Sequence, residues 1–292
     1  MDIASIRAFL SVAEQQSFSQ AAESLKLTQP AVSKRIATLE RGLSEKLFDR
    51  IGRKVLLTEA GQTILPKCRS IIEMLEDTEL CLSNLSGQVS GRLRLGTSHH
   101  IGLHHLPPVI SAFTEKYPDV ELDLHFMDSE TVCEKIAQGD LELGIVTLPT
   151  TPPENISCKT LWIDELNFVV SKQHRLAGLS NVTLNDLTRY NAILPNQNTY
   201  TRDIIETVFS KKKLTLKTSL STNYLETIKM MVTVGLGWSI LPKTMLKGDL
   251  KIVDIPDIQL KRKLGYIQHK QRTLSNAAIA MMGLLASPSN SF

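Results

Sequence analysis

The sequence predicts an α/β chain in three parts: an N-terminal winged helix-turn-helix, a long linker helix, and a C-terminal twin-lobed α/β domain. Three observations carry this. Residues 17–43 read as two short amphipathic helices joined by a tight turn, and residues 58–85 keep an apolar heptad pattern. From residue 91 onward, short apolar strands alternate with helical stretches, the pattern of a largely parallel sheet.

At the N-terminus Ile3, Ile6, Phe9, Leu10 and Ala13 recur at helical spacing and supply the third helix that such a pair needs to bury its apolar faces. In the next helix Phe18, Ala21, Ala22 and Leu25 form the apolar side, and Ser17 with Gln20 fits an S-x-x-Q capping box. The helix after the turn starts at Thr28, a favoured N-cap, with Pro30 in the first turn where its missing N–H costs nothing. Val32, Ile36, Leu39 and Leu43 then form one inward stripe.

The opposite side carries Gln29, Pro30, Ser33, Lys34 and, further round, Arg35, groups that can bond base edges or phosphates of DNA. Alone, this is equally an amphipathic pair with a solvated basic face, so the flanks decide. Residues 47–50 and 54–57 bracket Ile51-Gly52-Arg53 as a hairpin, placing Arg50, Arg53 and Lys54 at a wing tip suited to phosphates or a narrow minor groove. Ser19 joins these as a candidate DNA-binding residue.

Net charge is only +3 over 292 residues, and residues 1–60 hold nine Lys plus Arg against seven Asp plus Glu, so DNA affinity must come from charge placement. No run of 18 apolar residues exists, and Asp2 with a helix-turn-helix stands where a secretion signal would carry charged and then apolar residues. The expectation is a cytoplasmic protein without membrane contact. Cys68, Cys81, Cys133 and Cys158 show no paired spacing and read as free thiols.

Thr58 caps the long helix, with Glu59 in its first turn, and Ile64, Cys68, Ile71, Leu75, Thr78, Leu82 and Leu85 alternate spacings of four and three. Packing on its own domain would cover part of this seam. A homodimer reading two half-sites would cover it fully, so Ile64, Ile71, Leu75 and Leu82 are the candidate dimerisation residues. Pro66 removes one ladder bond within the helix. Residues 83–90, SNLSGQVS, read as a hinge. Domain limits follow at 1–58, 59–86 and 87–292.

In the last domain, strands are expected over 92–96, 120–126 and 141–146, with helices over 106–116 and 129–137. A second set has strands at 192–194, 214–218 and 239–241 and helices at 201–209 and 225–234. Residues 161–170 and 263–268 read as crossings between the halves, giving lobe I about 91–162 with 268–292 and lobe II about 163–267. Twin lobes of this kind bind ligands beside the carboxyl ends of their strands.

The run AFLSVAEQQSFSQAAESLKLTQPAVSKRIATLERGLSEKLFDRIGRKVLLTEAG resembles, nearly position by position, the winged helix-turn-helix of the LysR-type transcriptional regulators. GRLRLGTSHHIGLHHLPPVISAFTEKYPDVELDL, GDLELGIV and VTVGLGWSILP resemble that family's effector-binding domain, so the likeness covers almost the whole chain. It implies a periplasmic-binding-protein-like fold and a ligand-responsive, sequence-specific regulator. The partners it implies are double-stranded DNA, a small-molecule effector, a homodimer assembling to a homotetramer, and RNA polymerase.

The resemblance also locates the effector cleft. Thr97, Ser98 and His99 end the first strand and open the next helix, Thr147 ends another strand, and Asn196, Gln197, Asn198, Thr199 and Arg202 lie across from them. Helix caps and anion sites share this geometry. With Arg202 as the nearest fixed positive charge, the cleft is expected to prefer a compact anion. Peroxide-sensing members of the family use a cysteine pair in the second lobe, whereas no cysteine here follows Cys158.

His99, His100, His104 and His105 are four of the seven histidines. Their spacing suits Zn²⁺ on a helix, but no Cys or carboxylate lies nearby in sequence and Pro107 and Pro108 interrupt the stretch. Solvated or ligand-facing histidines are expected, with no metal and no cofactor beyond a small co-inducer. Gly235-Leu236-Gly237 follows a helix and lacks a third glycine, and no G-x-S-x-G, H-E-x-x-H or P-loop occurs, so an enzyme is not expected. A solute-binding protein would share the twin lobes; the helix-turn-helix opposes it.

Overall fold

The computed structural model describes residues 1–51, 54–246 and 248–287. Two units emerge, Met1–Ser86 and Gly87–Phe292. In the first, α1 (Ile3–Gln15) is capped by Asp2, whose carboxylate accepts from the Ser5 N–H at 2.8 Å, and ends at Gln16 in the left-handed region. The Ser17 hydroxyl caps α2 (Phe18–Ser24) by accepting from the Gln20 N–H. Thr28 holds the N-cap position of α3 (Gln29–Leu43) without a side-chain bond; its carbonyl alone starts the helix. Val32, Ile36 and Leu39 are buried together with Ile6, Phe9 and Ala21. Each fully buried aliphatic side chain here contributes roughly 1.5–3 kcal/mol.

The wing forms as β1 (Phe48–Ile51) and β2 (Lys54–Leu57), antiparallel, with Ile51 opposite Lys54. Arg53 and the side chains of Arg50 and Lys54 lie outside the described residues. Helix α4 (Glu59–Asn84), capped by Thr58, runs through Pro66. Its predicted seam divides. Cys68 and Ile72 are buried in the first unit's own core, and Ile64 and Ile71 pack against it, so these two face inward as well as along the seam. Leu75 is half-buried, whereas Leu82 and Leu85 are 66% and 82% exposed.

The second unit starts with β3 (Gly91–Thr97), α5 (His99–His104), α6 (Pro107–Lys116), β4 (Val120–Phe126), α7 (Ser129–Gln138) and β5 (Leu143–Thr147). Strand β3 pairs in parallel with both β4 and β5. Long β6 (Ile156–Ser171) follows, then α8 (Leu184–Thr188), whose Thr183–Asp186 capping box the sequence reading passed over. Next come β7 (Ala192–Leu194), α9 (Tyr200–Lys211), β8 (Thr218–Ser221), α10 (Leu225–Thr233), β9 (Ser239–Pro242), β10 (Leu250–Ile252), β11 (Leu260–His269) and α11 (Asn276–Leu285).

The main sheet runs β10-β6-β11-β5-β3-β4 with β9 also on β6, and β7 pairs with β8. Strands β6 and β11 cross both lobes as an antiparallel pair. Leu93, Phe113, Ile145, Leu264 and Met281 fill one side of lobe I, and Val132, Ile136, Val146 and Ile267 the other. Lobe II packs Leu166, Phe168, Phe209, Trp238 and Leu260 in one core and Val169, Ile193, Ile228 and Leu241 in a second.

Three expectations shift. Leu264 and Ile267 pack in lobe I, so the return crossing lies between Leu260 and Leu264 and not at 267. The strand expected at 214–218 starts at Thr218, opposite Ala192, because Leu214 and Leu216 pack on the lobe II core before pairing begins. Helix α11, unforeseen, buries Ala277, Ala278 and Met281 in lobe I. A Cβ at Gly96 or Gly144 would meet Val132 Cγ1 at 2.9 or 2.7 Å, so α7 seats on β3 and β5 through these two residues. No helix among the described residues is long and apolar enough to cross a membrane.

Candidate functional site

Two surfaces hold the predicted site residues. On α3, Gln29, Pro30 and Lys34 are exposed and Ser33 and Arg35 half-buried, on the side away from the buried Val32 and Ile36; Ser19 is exposed on α2. The Gln29 Nε2 donates to Ser33 Oγ at 3.2 Å. These two amide and hydroxyl groups are thus oriented by one another at the helix end that enters a major groove in helix-turn-helix proteins.

The second surface is a cleft at the carboxyl ends of β3, β5 and β7, enclosing about 50 Å³. That is room for a few waters, so the walls stand close together. Ser98, Ser129, Thr199 and Thr201 line it with Thr147, His99, His100, Asp128, Glu130, Asn223 and Arg262. Bonds across it explain the closure. Asn223 Nδ2 donates to Asp128 Oδ2 at 2.7 Å, the Tyr200 N–H at the start of α9 donates to Glu130 Oε1 at 2.5 Å, and the His99 ring packs 4.7 Å from that of Tyr224. Burial pushes the Glu130 carboxyl above its ordinary pKa, against the pull of the Tyr200 N–H.

The cation on the cleft wall is Arg262. Its Nε donates to Asp164 Oδ2 at 2.8 Å, Nη2 stands 2.7 Å from the same oxygen, and Nη1 donates to Thr201 Oγ1 at 3.1 Å. Arg202 turns away. Its guanidinium binds Glu206, the Pro195 carbonyl and Thr218 Oγ1, outside the cleft lining. Thr97 is likewise spent, fully buried and donating to the Ile145 carbonyl at 2.8 Å, because its side chain falls on the sheet face between β3 and β5. Ser98, His99, Thr147 and Thr199 do line the cleft, Thr199 also capping α9.

Asn196, Gln197 and Asn198 sit on an exposed loop beyond the lining; Asn196 approaches it only through its N–H, held by Asn223 Oδ1. The sequence reading missed Asp128, Ser129, Glu130, Thr201, Asn223 and Arg262. Arg262 had a signal: in 260–264 it shares the buried face with Leu260 and Leu264 while Lys261 and Lys263 point out.

The clustered histidines divide: His99 and His100 line the cleft, His104 is exposed, and His105 is neither, which corrects the expectation for that residue. His100 and His105 are 5% and 7% exposed, and none of their four ring nitrogens has a hydrogen-bond partner. His100 lies on the inner face of α5 and His105 at its C-cap against Trp162, both near Arg262, so solvation is denied them by the packing of the lobe. Burial, helped by the Arg262 charge, pushes the His100 imidazole down to about 2 and keeps it neutral. His104, exposed on α5, reaches Glu226 of α10 at 2.9 Å.

Comparison with known proteins agrees with both halves. Residues 3–62 match the family described as bacterial regulatory helix-turn-helix protein, lysR family, and residues 86–287 the LysR substrate binding domain. A probable RuBisCO transcriptional regulator of Cyanophora paradoxa is 32% identical over 94% of this chain and 87% of its own length. An uncharacterized HTH-type transcriptional regulator from the ibpB-leuC intergenic region of Azotobacter vinelandii is 64% identical over 37% of this chain and 75% of its own length. Among solved structures, full-length CbnR complexed with its target DNA superposes with a TM-score of 0.64 at 19% identity, covering 98% of this chain and 99% of that one.

Proposed function

The chain belongs to the LysR family of transcriptional regulators, a regulator with an effector-binding domain and not an enzyme, and from that premise we propose that it is a cytoplasmic DNA-binding protein that answers to a small carboxylate or oxyanion in its cleft. In this reading α3 and the wing contact double-stranded DNA; CbnR, whose fold this chain shares, is itself solved in complex with target DNA. The uncovered Leu82 and Leu85 side of α4 supports a homodimer, two of which form a tetramer that acts on RNA polymerase.

One observation supports the anion class above the rest: a carboxylate already sits at the N-terminus of α9. Glu130 accepts the Tyr200 N–H there, at a helix end whose dipole favours negative charge. An effector carboxylate would take that position, with Thr199, Thr201 and Arg262 around it, and the Glu130 and Asp128 latches would be released. A ligand that binds the open and closed clefts unequally then shifts their populations and so the DNA-binding state.

Gel shifts with DNA upstream of the chain's own gene test the first half. For the second, a panel of small carboxylates, oxyanions, amines and apolar compounds is screened for thermal stabilisation of the parent and of Glu130→Gln. The expected effector is anionic, and Glu130→Gln strengthens its binding severalfold by removing the competing charge. A cationic or apolar effector, or one bound more weakly by Glu130→Gln, refutes the reading.

A further inference from the structure

No Cys or carboxylate lies near the clustered histidines in sequence, yet the fold brings a carboxylate to them from 122 residues away. His100 and His104 are one helical turn apart on α5, and Glu226 comes from the first turn of α10 in the opposite lobe. One donor atom from each lies within 4.8 Å of the others. We propose that His100, His104 and Glu226 form a binding site for a borderline divalent transition metal such as Zn²⁺, bridging the two lobes beside the effector cleft.

Three features point to a metal in place of a plain His–Glu pair. First, the donor set, two imidazoles at i, i+4 and one carboxylate, is the one that takes zinc and its first-row neighbours and leaves coordination positions for water. Second, His100 is 95% buried by its side-chain surroundings yet both its ring nitrogens lack a hydrogen-bond partner, a cost that a metal bond would remove. Third, its Nε2 stands 3.9 Å from Asp164, beyond hydrogen-bond reach but near enough for that carboxylate to favour a cation at the imidazole.

Charge permits it. Asp164 and Glu226 outweigh the single nearby guanidinium of Arg262. Distances permit it after a small movement: tetrahedral zinc with bonds of about 2.0–2.1 Å needs donors about 3.3 Å apart. The His104 and Glu226 side chains, 37% and 41% exposed, are free to close that gap. Because His104 and Glu226 belong to different lobes, the ion would hold the cleft edge together, and through His100, which lines the cleft, it would adjoin the effector's site.

The test uses the full-length chain, free of any affinity tag and stripped by chelator, titrated calorimetrically with Zn²⁺. One Zn²⁺ per chain is expected, with a rise in the thermal midpoint. His104→Ala and Glu226→Gln, both at exposed positions, should each weaken binding at least ~10-fold, while His125→Ala leaves it unchanged. Far-UV circular dichroism of the metal-free variants checks that both are folded. Co²⁺ should bind with visible absorption that Glu226→Gln alters, and Mg²⁺ or Ca²⁺ should not compete, since they select oxygen cages. Absence of one-to-one Zn²⁺ binding, binding unaffected by His104→Ala with Glu226→Gln, or equal competition by Mg²⁺ would overturn the proposal. The anionic-effector screen is read without metal, so either idea can fail alone.

Discussion

Asp164→Ala is the most informative perturbation of the cleft. The Asp164 and Arg262 side chains are 4% and 5% exposed, with two guanidinium nitrogens at 2.8 and 2.7 Å from one carboxylate oxygen. Removing the carboxylate leaves a buried guanidinium whose remaining hydrogen bond is the one to Thr201 Oγ1 at 3.1 Å. Breaking one side of such a buried pair costs about 3–5 kcal/mol. For a unit of this size each kcal/mol lowers the thermal midpoint by about 2–4 °C, so a fall of roughly 6–20 °C is expected. Both tryptophans, Trp162 and Trp238, lie in the second unit, so their fluorescence follows its unfolding in the intact chain. The double variant Asp164→Leu with Arg262→Met should recover most of the loss, because matched apolar groups replace a buried pair at little cost. In Asp164→Ala a small anion should also stabilise more than in the parent, by pairing with the freed Arg262. A single-variant loss under about 1 kcal/mol, or a double variant as damaged as the sum of the two singles, refutes this account of the wall.

On α3, Gln29→Ala should relax sequence preference, while Lys34→Ala weakens all DNA alike and lowers the salt slope by about 1; identical sequence profiles would end that division of labour. Leu82→Asp, at a position 66% exposed, should abolish the dimer without unfolding the first unit, whereas Ile71→Asp damages both because Ile71 packs on that unit's core. A fully dimeric Leu82→Asp protein by light scattering shows that another surface pairs the chains. Burial pushes the Cys68, Cys133 and Cys158 thiols up, leaving little thiolate to react, so peroxide should not alter DNA binding. An oxidant response in the parent that disappears when all four cysteines become serine contradicts this.

The elements that sequence alone determined are those whose signal is local. Helical stripes such as Val32, Ile36 and Leu39, caps such as Ser17 and Thr58, and the strand–helix alternation from Gly91 repeat within a few residues, and burying each stripe leaves few ways to assemble them. The family likeness rests on the same local runs. What the tertiary structure decided is which groups meet. The alternation around Arg262 marks it as inward-facing but does not say what it meets: Glu206, the Pro195 carbonyl and Thr218 draw Arg202 away while Asp164, 98 residues distant, holds Arg262 at the cleft. Thr97 is lost to the Ile145 carbonyl, Glu130 gains the start of α9, and His104 gains Glu226. The Glu130 and His104 pairings depend on the approach of the two lobes, and the Thr97 and Arg262 bonds on which strands of the sheet lie side by side; such separations leave no period in the chain from which to read them.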